Sequence, residues 1–132
     1  MVARRCRVLV IEDNEQVSAL LDQVISLEGY AVEVVRPPLD DTASLVVDDY
    51  DVALIDLSLP HGHDSFAIAR RAAAAGIGVI LMSGNRSMYD AAAESPYPFL
   101  EKPFRIARLV GTIEQVLQRT GRDCRREAAG SG

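Results

Sequence analysis

Four short bursts of apolar residues punctuate the chain, at positions 8–11, 52–55, 79–82 and 99–100. None alternates with polar residues. Each therefore reads as a strand buried on both faces, the habit of a parallel sheet covered on both sides. A weaker burst at 31–35 is rich in β-branched valine. Between the bursts the apolar spacing changes to three and four. Val17, Leu20, Leu21, Val24 and Ile25 predict a helix that Gly29 stops. Residues 65–75 are alanine-rich and end at Gly76. Ile106, Leu109, Val110, Ile113, Val116 and Leu117 form an amphipathic stripe closed by Gly121. Residues 39–49 and 86–94 carry weaker helical patterns. Strand and helix thus alternate five times, which predicts a parallel sheet with right-handed crossovers and helices on both faces. One domain is expected over residues 4–120, followed by a flexible tail at 121–132 that is rich in arginine and then in Ala, Gly and Ser.

Charge and cysteine content narrow the functional classes. Nineteen acidic residues against fourteen basic ones leave a net charge of -5, which repels phosphate backbones and argues against direct DNA binding. No apolar run exceeds four residues, whereas a membrane helix needs about 20. No membrane segment and no signal-peptide core are expected. Cys6 and Cys124 fit neither a disulfide framework nor a metal cluster, and read as free thiols in a reducing cytoplasm.

In open α/β sheets ligands bind beyond the carboxyl ends of the strands. The residues just past the predicted strands are Glu12 and Asp13, Asp56, Ser83, and Lys102, the chain's only lysine. Three carboxylates in one crevice repel one another; at an effective dielectric of about 20, a pair about 4 Å apart costs roughly 4 kcal/mol. Such a cluster calls for a cation, and an all-oxygen donor set suits Mg²⁺. Asp56 then reads as a nucleophile that forms an aspartyl phosphate. Lys102 supplies a point charge to a phosphate oxygen, and the Ser83 hydroxyl donates to another.

At these residues the sequence resembles the receiver domain of two-component response regulators. The matching text is Val8-Leu9-Val10-Ile11-Glu12-Asp13-Asn14, Leu54-Ile55-Asp56-Leu57-Ser58-Leu59-Pro60, Met82-Ser83-Gly84 and Leu100-Glu101-Lys102-Pro103-Phe104. The resemblance implies a flavodoxin-like (βα)5 doubly wound sheet in strand order 2-1-3-4-5. It implies phosphorylation of Asp56 from a phosphohistidine on a histidine kinase or phosphotransfer protein. It implies Mg²⁺ held by Asp13, Asp56 and the Ser58 backbone carbonyl, with Glu12 acting through water. It also implies a cis Lys102-Pro103 peptide. Such a chain is a regulator, not an enzyme with a separate substrate: it catalyses its own phosphotransfer and a slow autodephosphorylation, tuned by Ser58 and Asn85. Ser83 and Phe99 are the expected switch residues. The output is contact with a downstream protein, or a phosphorylation-dependent homodimer, through the face made by residues 86–94, the strand at 99–100 and the last helix. The alternative is a receiver from a hybrid histidine kinase, serving as relay intermediate or phosphate sink. Two departures stand out. Glu occupies position 12 where the family more often has Asp, and the stretch from Ser83 to Lys102 is short and carries Ser95-Pro96-Tyr97-Pro98.

Other readings fit less well. A flavin carrier wants backbone donors and no acids after the first strand, where this chain has Glu12-Asp13-Asn14-Glu15. An aspartyl phosphatase wants an acid two residues past its nucleophile, and Ser58 stands there. Asp13 and Asn14 also suit a helix N-cap. His61-Gly62-His63 reads as a loop, since two histidines alone make a poor metal site.

Overall fold

The computed structural model describes residues 4–37, 49–60 and 64–127. The helix expected at 39–49 falls almost wholly outside them, as do His61, His63 and the last residues of the tail.

The strands are β1 (Arg4–Arg5), β2 (Arg7–Ile11), β3 (Ala31–Val35), β4 (Val52–Asp56), β5 (Gly78–Ser83), β6 (Phe99–Glu101) and β7 (Cys124–Arg125). The helices are α1 (Glu15–Leu27), α2 (Ser65–Ala74), α3 (Tyr89–Glu94) and α4 (Ile106–Thr120). Five strands form one parallel sheet in the order β3-β2-β4-β5-β6. Counted along those five alone, this is the expected order 2-1-3-4-5. The chain leaves β2 for β3 on one side and crosses back to β4 on the other. The crevice for a ligand therefore opens between the carboxyl ends of β2 and β4, where Ile11 is in register with Ile55.

Side-chain alternation builds a core on each face. Val8, Val10, Leu54 and Met82 point to the side that α1 and α4 cover with Leu21, Ile25, Leu109 and Ile113. Leu9, Ile11, Ile55 and Leu81 point to the side that α2 covers with Ile68, Ala69 and Ala72. Both sets are buried, which is why the strands read as unbroken apolar runs. The helix starts carry local caps. Asn14 Oδ1 accepts the Val17 N–H at 3.0 Å, and Asp64 Oδ1 accepts those of Phe66 and Ala67. Asn14, and not Asp13, is thus the cap of α1. The region at 86–94 is a 3₁₀ turn, Arg86–Met88, running into the six-residue α3, as short as the spacing implied.

Gly78 is a point of close approach between β5 and α4. A Cβ there would stand 1.8 Å from Val116 Cγ1. Valine in a helix has essentially one χ1 rotamer and cannot turn away. Gly78→Ala is therefore expected to destabilise the fold by about 1–3 kcal/mol, seen as a lower midpoint in thermal unfolding. An unchanged midpoint would mean that this helix contact is slack.

Two expectations are corrected at the chain's ends. The tail does not fray from residue 121. β7 pairs in parallel with β1, and the Cys6 N–H donates to the Arg125 carbonyl at 2.7 Å. The cysteines are not free thiols: Cys6 and Cys124 are joined by a disulfide, with Cα atoms 4.8 Å apart across 118 positions of sequence. The inference of a reducing compartment from free thiols falls with them. The physical reason is the β1·β7 pairing, a long-range contact that leaves no local periodicity to read.

Buried beneath this closure is Asp51, fully inaccessible to solvent. Arg4 grips it with both terminal nitrogens at 2.7 and 2.5 Å, Arg122 Nε donates at 3.1 Å, and the Arg7 N–H donates at 2.8 Å. Burial alone would raise its carboxyl pKa. The Arg4, Arg7 and Arg122 hydrogen bonds together outweigh burial and hold it below the ordinary value. No feature of the local sequence marked Asp51 as such a hub.

Candidate functional site

The expected acids, Ser83 and Lys102 sit at the carboxyl ends of strands, whereas Phe99 opens β6 at its amino end. β2 delivers Glu12 and Asp13, β4 ends on Asp56, β5 ends on Ser83, and β6 leads into Lys102. The Lys102–Pro103 peptide is cis, as the resemblance implied.

The structure brings Glu12, Asp56 and Lys102 together. Glu12 is fully buried and Asp56 is 4% exposed. Lys102 Nζ donates to Glu12 Oε1 at 2.8 Å and to Oε2 at 3.0 Å, and lies 3.4 Å from Asp56 Oδ2. Two buried carboxylates thus share one ammonium. Burial pushes the Glu12 carboxyl pKa up first, and Asp56 adds to the rise; Lys102 offsets only part of it. The other Asp56 oxygen, Oδ1, accepts the Ser58 N–H at 3.0 Å. Its backbone carbonyl accepts the Ser65 hydroxyl at 2.6 Å. Asp56 is therefore held at the carboxylate and at the main chain.

Ser83 is fully buried. Its Oγ accepts the Asn85 N–H at 2.9 Å, while its carbonyl accepts the Lys102 N–H at 2.9 Å. The second contact ties the end of β5 to the lysine. Phe99 is half-buried and meets the Tyr89 ring edge-on at 5.4 Å between centroids. It borders a cleft of about 470 Å³ shared with Lys102, Phe104, Arg105 and Arg108. Tyr89 went unread in the sequence because its partner lies ten positions away, on another element.

Asp13 is exposed and stands apart from this inward pair. Among the described residues, the one set of three metal-ligating side chains with donor atoms within 4.8 Å of one another is Cys6, Asp51 and Cys124. It offers an ion little: its sulfurs are bonded to each other and its carboxylate is engaged by two arginines. The acidic crevice is the better cation site by chemistry. Glu12 and Asp56 set two buried carboxylates against one lysine, and the exposed Asp13 follows Glu12 at the same strand end. An all-oxygen set of this kind fits Mg²⁺.

Comparison with known proteins bears on the family and the fold. The family model of the response regulator receiver domain matches residues 8–114. The swarming motility regulation protein RssB of Serratia marcescens is 29% identical over 116 residues, covering 85% of this chain and 53% of that protein. The transcriptional regulatory protein CseB of Streptomyces coelicolor is 30% identical over 127 residues, covering 91% and 53%. The chain spans about half the length of these relatives. Among solved structures, a response regulator receiver protein from Sinorhizobium medicae superposes with a TM-score of 0.73 at 20% identity, covering 88% of this chain and 97% of that one. At that identity the likeness shows the fold alone.

Proposed function

The chain belongs to the response regulator receiver domain family, and from that premise we propose that Asp56 accepts a phosphoryl group from a phosphohistidine. Phosphorylation-dependent signalling is general to the family, and receiver domains conventionally bind Mg²⁺ at their acidic site. The observation that carries the proposal is the pairing of a buried, oriented Asp56 carboxylate with Lys102 Nζ 3.4 Å away. An Asp56 oxygen attacks phosphorus; the new P–O bond forms as the P–N bond to the donor imidazole breaks. The Ser58 N–H steadies one carboxylate oxygen during attack. Lys102 leaves Glu12 for the arriving phosphoryl oxygens, which carry more negative charge than a single carboxylate. A Glu12 carboxyl pushed toward its neutral form releases the lysine readily. Asp13, Asp56 and the Ser58 carbonyl would hold Mg²⁺, with Glu12 reaching it through water once Lys102 has moved. The ion would neutralise charge on the transferring group.

Readout follows from Ser83 and Phe99. The Ser83 hydroxyl, now an acceptor from Asn85, turns to donate to the phosphoryl oxygen. That inward shift draws on β5 and opens space toward which Phe99 rotates, reshaping the face of α3, β6 and α4. A downstream protein or a second copy of the chain reads this face, and the acidic domain itself makes no DNA contact. Autodephosphorylation is slow, with Ser58 and Asn85 flanking the path of water. Among the described residues no helix is long and apolar enough to cross a membrane. We place the domain in the cytoplasm, where phosphohistidine donors are made from ATP.

The test is beryllium fluoride with Mg²⁺, followed by amide chemical shifts. Changes are expected over residues 83–108 more than over 15–50. Ser83→Ala should still form the adduct but lose most of the shifts beyond the crevice. Shifts confined to the crevice loops in the wild type would leave the domain a phosphate store without this switch.

A further inference from the structure

The Cys6–Cys124 pair lies at the pole opposite the acidic crevice. Cys6 precedes β2 at its amino end, whereas Glu12, Asp56 and Ser83 close the carboxyl ends of the same sheet. Residues 122–127 form a strap across that pole. Its main chain is held at a few points: the two-residue β1·β7 pairing, the Cys6 N–H on the Arg125 carbonyl, and the Glu127 N–H on the Gly29 carbonyl at 2.9 Å. Arg122 reaches back to Asp51, and Arg126 pairs with Glu28 and Glu114. A two-stranded ribbon is marginal in water even at hairpin length, and a parallel pair of two residues is weaker still. The disulfide is the one covalent link between the strap and the sheet.

The two cysteines differ in burial. Cys6 is 3% exposed and packs among core side chains; Cys124 is only half-buried at the edge of that cluster. Disulfides in cytoplasmic proteins are usually transient, catalytic or redox-sensing. We propose that Cys6 and Cys124 are a thiol–disulfide exchange site whose substrate class is a dithiol reductant, and that opening the bond releases the strap at 122–127. The reductant's thiolate attacks Sγ of Cys124, the less buried cysteine, and forms a mixed disulfide there. The Cys6 sulfur leaves as thiolate and takes a proton. The reductant's second thiolate then attacks its own sulfur in the mixed disulfide, and Cys124 leaves as thiolate and is protonated. The balance is one protein disulfide and one dithiol giving two protein thiols and one cyclic disulfide. Reoxidation by a disulfide such as oxidised glutathione reverses it. Because α4 remains packed through Leu109, Ile113 and Val116, the opening is local and does not unfold the sheet. The proposal rests on the cytoplasmic placement made under the proposed function, but no atom of Asp56 or Lys102 takes part in the exchange itself.

The full chain, purified without reductant, is titrated with dithiothreitol and then followed by thiol alkylation with mass mapping and by amide hydrogen exchange. Both thiols should appear together under native conditions. Exchange across 122–127 should rise about tenfold or more, while that of β4 and β5 holds. With glutathione, a monothiol, the trapped adduct should map to Cys124. Cys124→Ser should show the fast strap with or without dithiothreitol, and Asp56→Asn, which cannot accept a phosphoryl group, should still show the wild-type thiol release and strap exchange. Four results would overturn the proposal: free thiols in the air-oxidised chain, an adduct on Cys6, a strap that stays protected after reduction, or a bond that opens only when the whole chain unfolds. If Cys124→Ser fails to fold, the dithiothreitol titration of the wild type decides alone.

Discussion

Asp56→Asn will take up no phosphoryl group from acetyl phosphate and Mg²⁺, while the wild type takes up one. Three carboxylates share the crevice, so the outcome discriminates among them. Both Glu12 oxygens accept from Lys102, and burial pushes its carboxyl toward the neutral, non-nucleophilic form. Asp13 is exposed, and attack from it would leave the phosphoryl group away from the half-buried lysine. Asp56 alone combines burial, a fixed orientation through the Ser58 N–H, and Lys102 within 3.4 Å. Asparagine keeps the shape and the Ser58 contact but gives up the anionic nucleophile. Intact-mass analysis should therefore show the adduct fall to background in Asp56→Asn and persist in Glu12→Gln. Equal uptake by Asp56→Asn and wild type would move the nucleophile elsewhere and dissolve the proposed mechanism.

The largest loss of stability is expected from Asp51→Ala. Removing this carboxylate leaves Arg4 and Arg122 converging on an empty buried spot and deprives the Arg7 N–H of its acceptor. Breaking a buried charged pair from one side costs roughly 3–5 kcal/mol. The lower end applies, because the Arg4 side chain is 48% exposed and water compensates it in part. About 3 kcal/mol corresponds to a fall of roughly 10 °C in Tm for a domain of this size. The pH dependence has a definite sign. The folded-state pKa of Asp51 lies below its ordinary value of 3.8. Its stabilisation is therefore complete above that value and is lost as pH falls through the folded pKa. Asp51→Asn should lack this component of acid destabilisation while staying less stable than wild type at neutral pH. Calorimetry of the three proteins at neutral pH and in acid reads both effects. A Tm within a degree or two of wild type for Asp51→Ala would show that the hub is decorative.

The five core strands were legible because burial on both faces forces unbroken apolar runs, and a run needs no partner to be seen. β3 was fainter because its residues are only partly buried at the sheet edge, so burial demanded less of them. The crevice residues were legible for a related reason: a parallel sheet places whatever follows each strand on one rim, so Glu12, Asp13, Asp56, Ser83 and Lys102 gather once the strands are known. What those residues do to one another was not legible. Lys102 grips Glu12 across 90 positions, and the longer glutamate arm at position 12 acquires its meaning only against the lysine it meets. The same holds at the opposite pole. Asp51, Arg4, Arg122 and the cysteine pair carry no periodicity, cap or motif, and aspartate and arginine are ordinary surface types. By itself the sequence determined the alternation of strand and helix, the strand ends that form the crevice and the family. Only the tertiary structure decided which charges are paired, which carboxylate is left oriented and where the chain's two ends close on each other. Repeating patterns are written by burial, residue by residue, whereas a long-range pair is a single coincidence in space and leaves no trace along the chain.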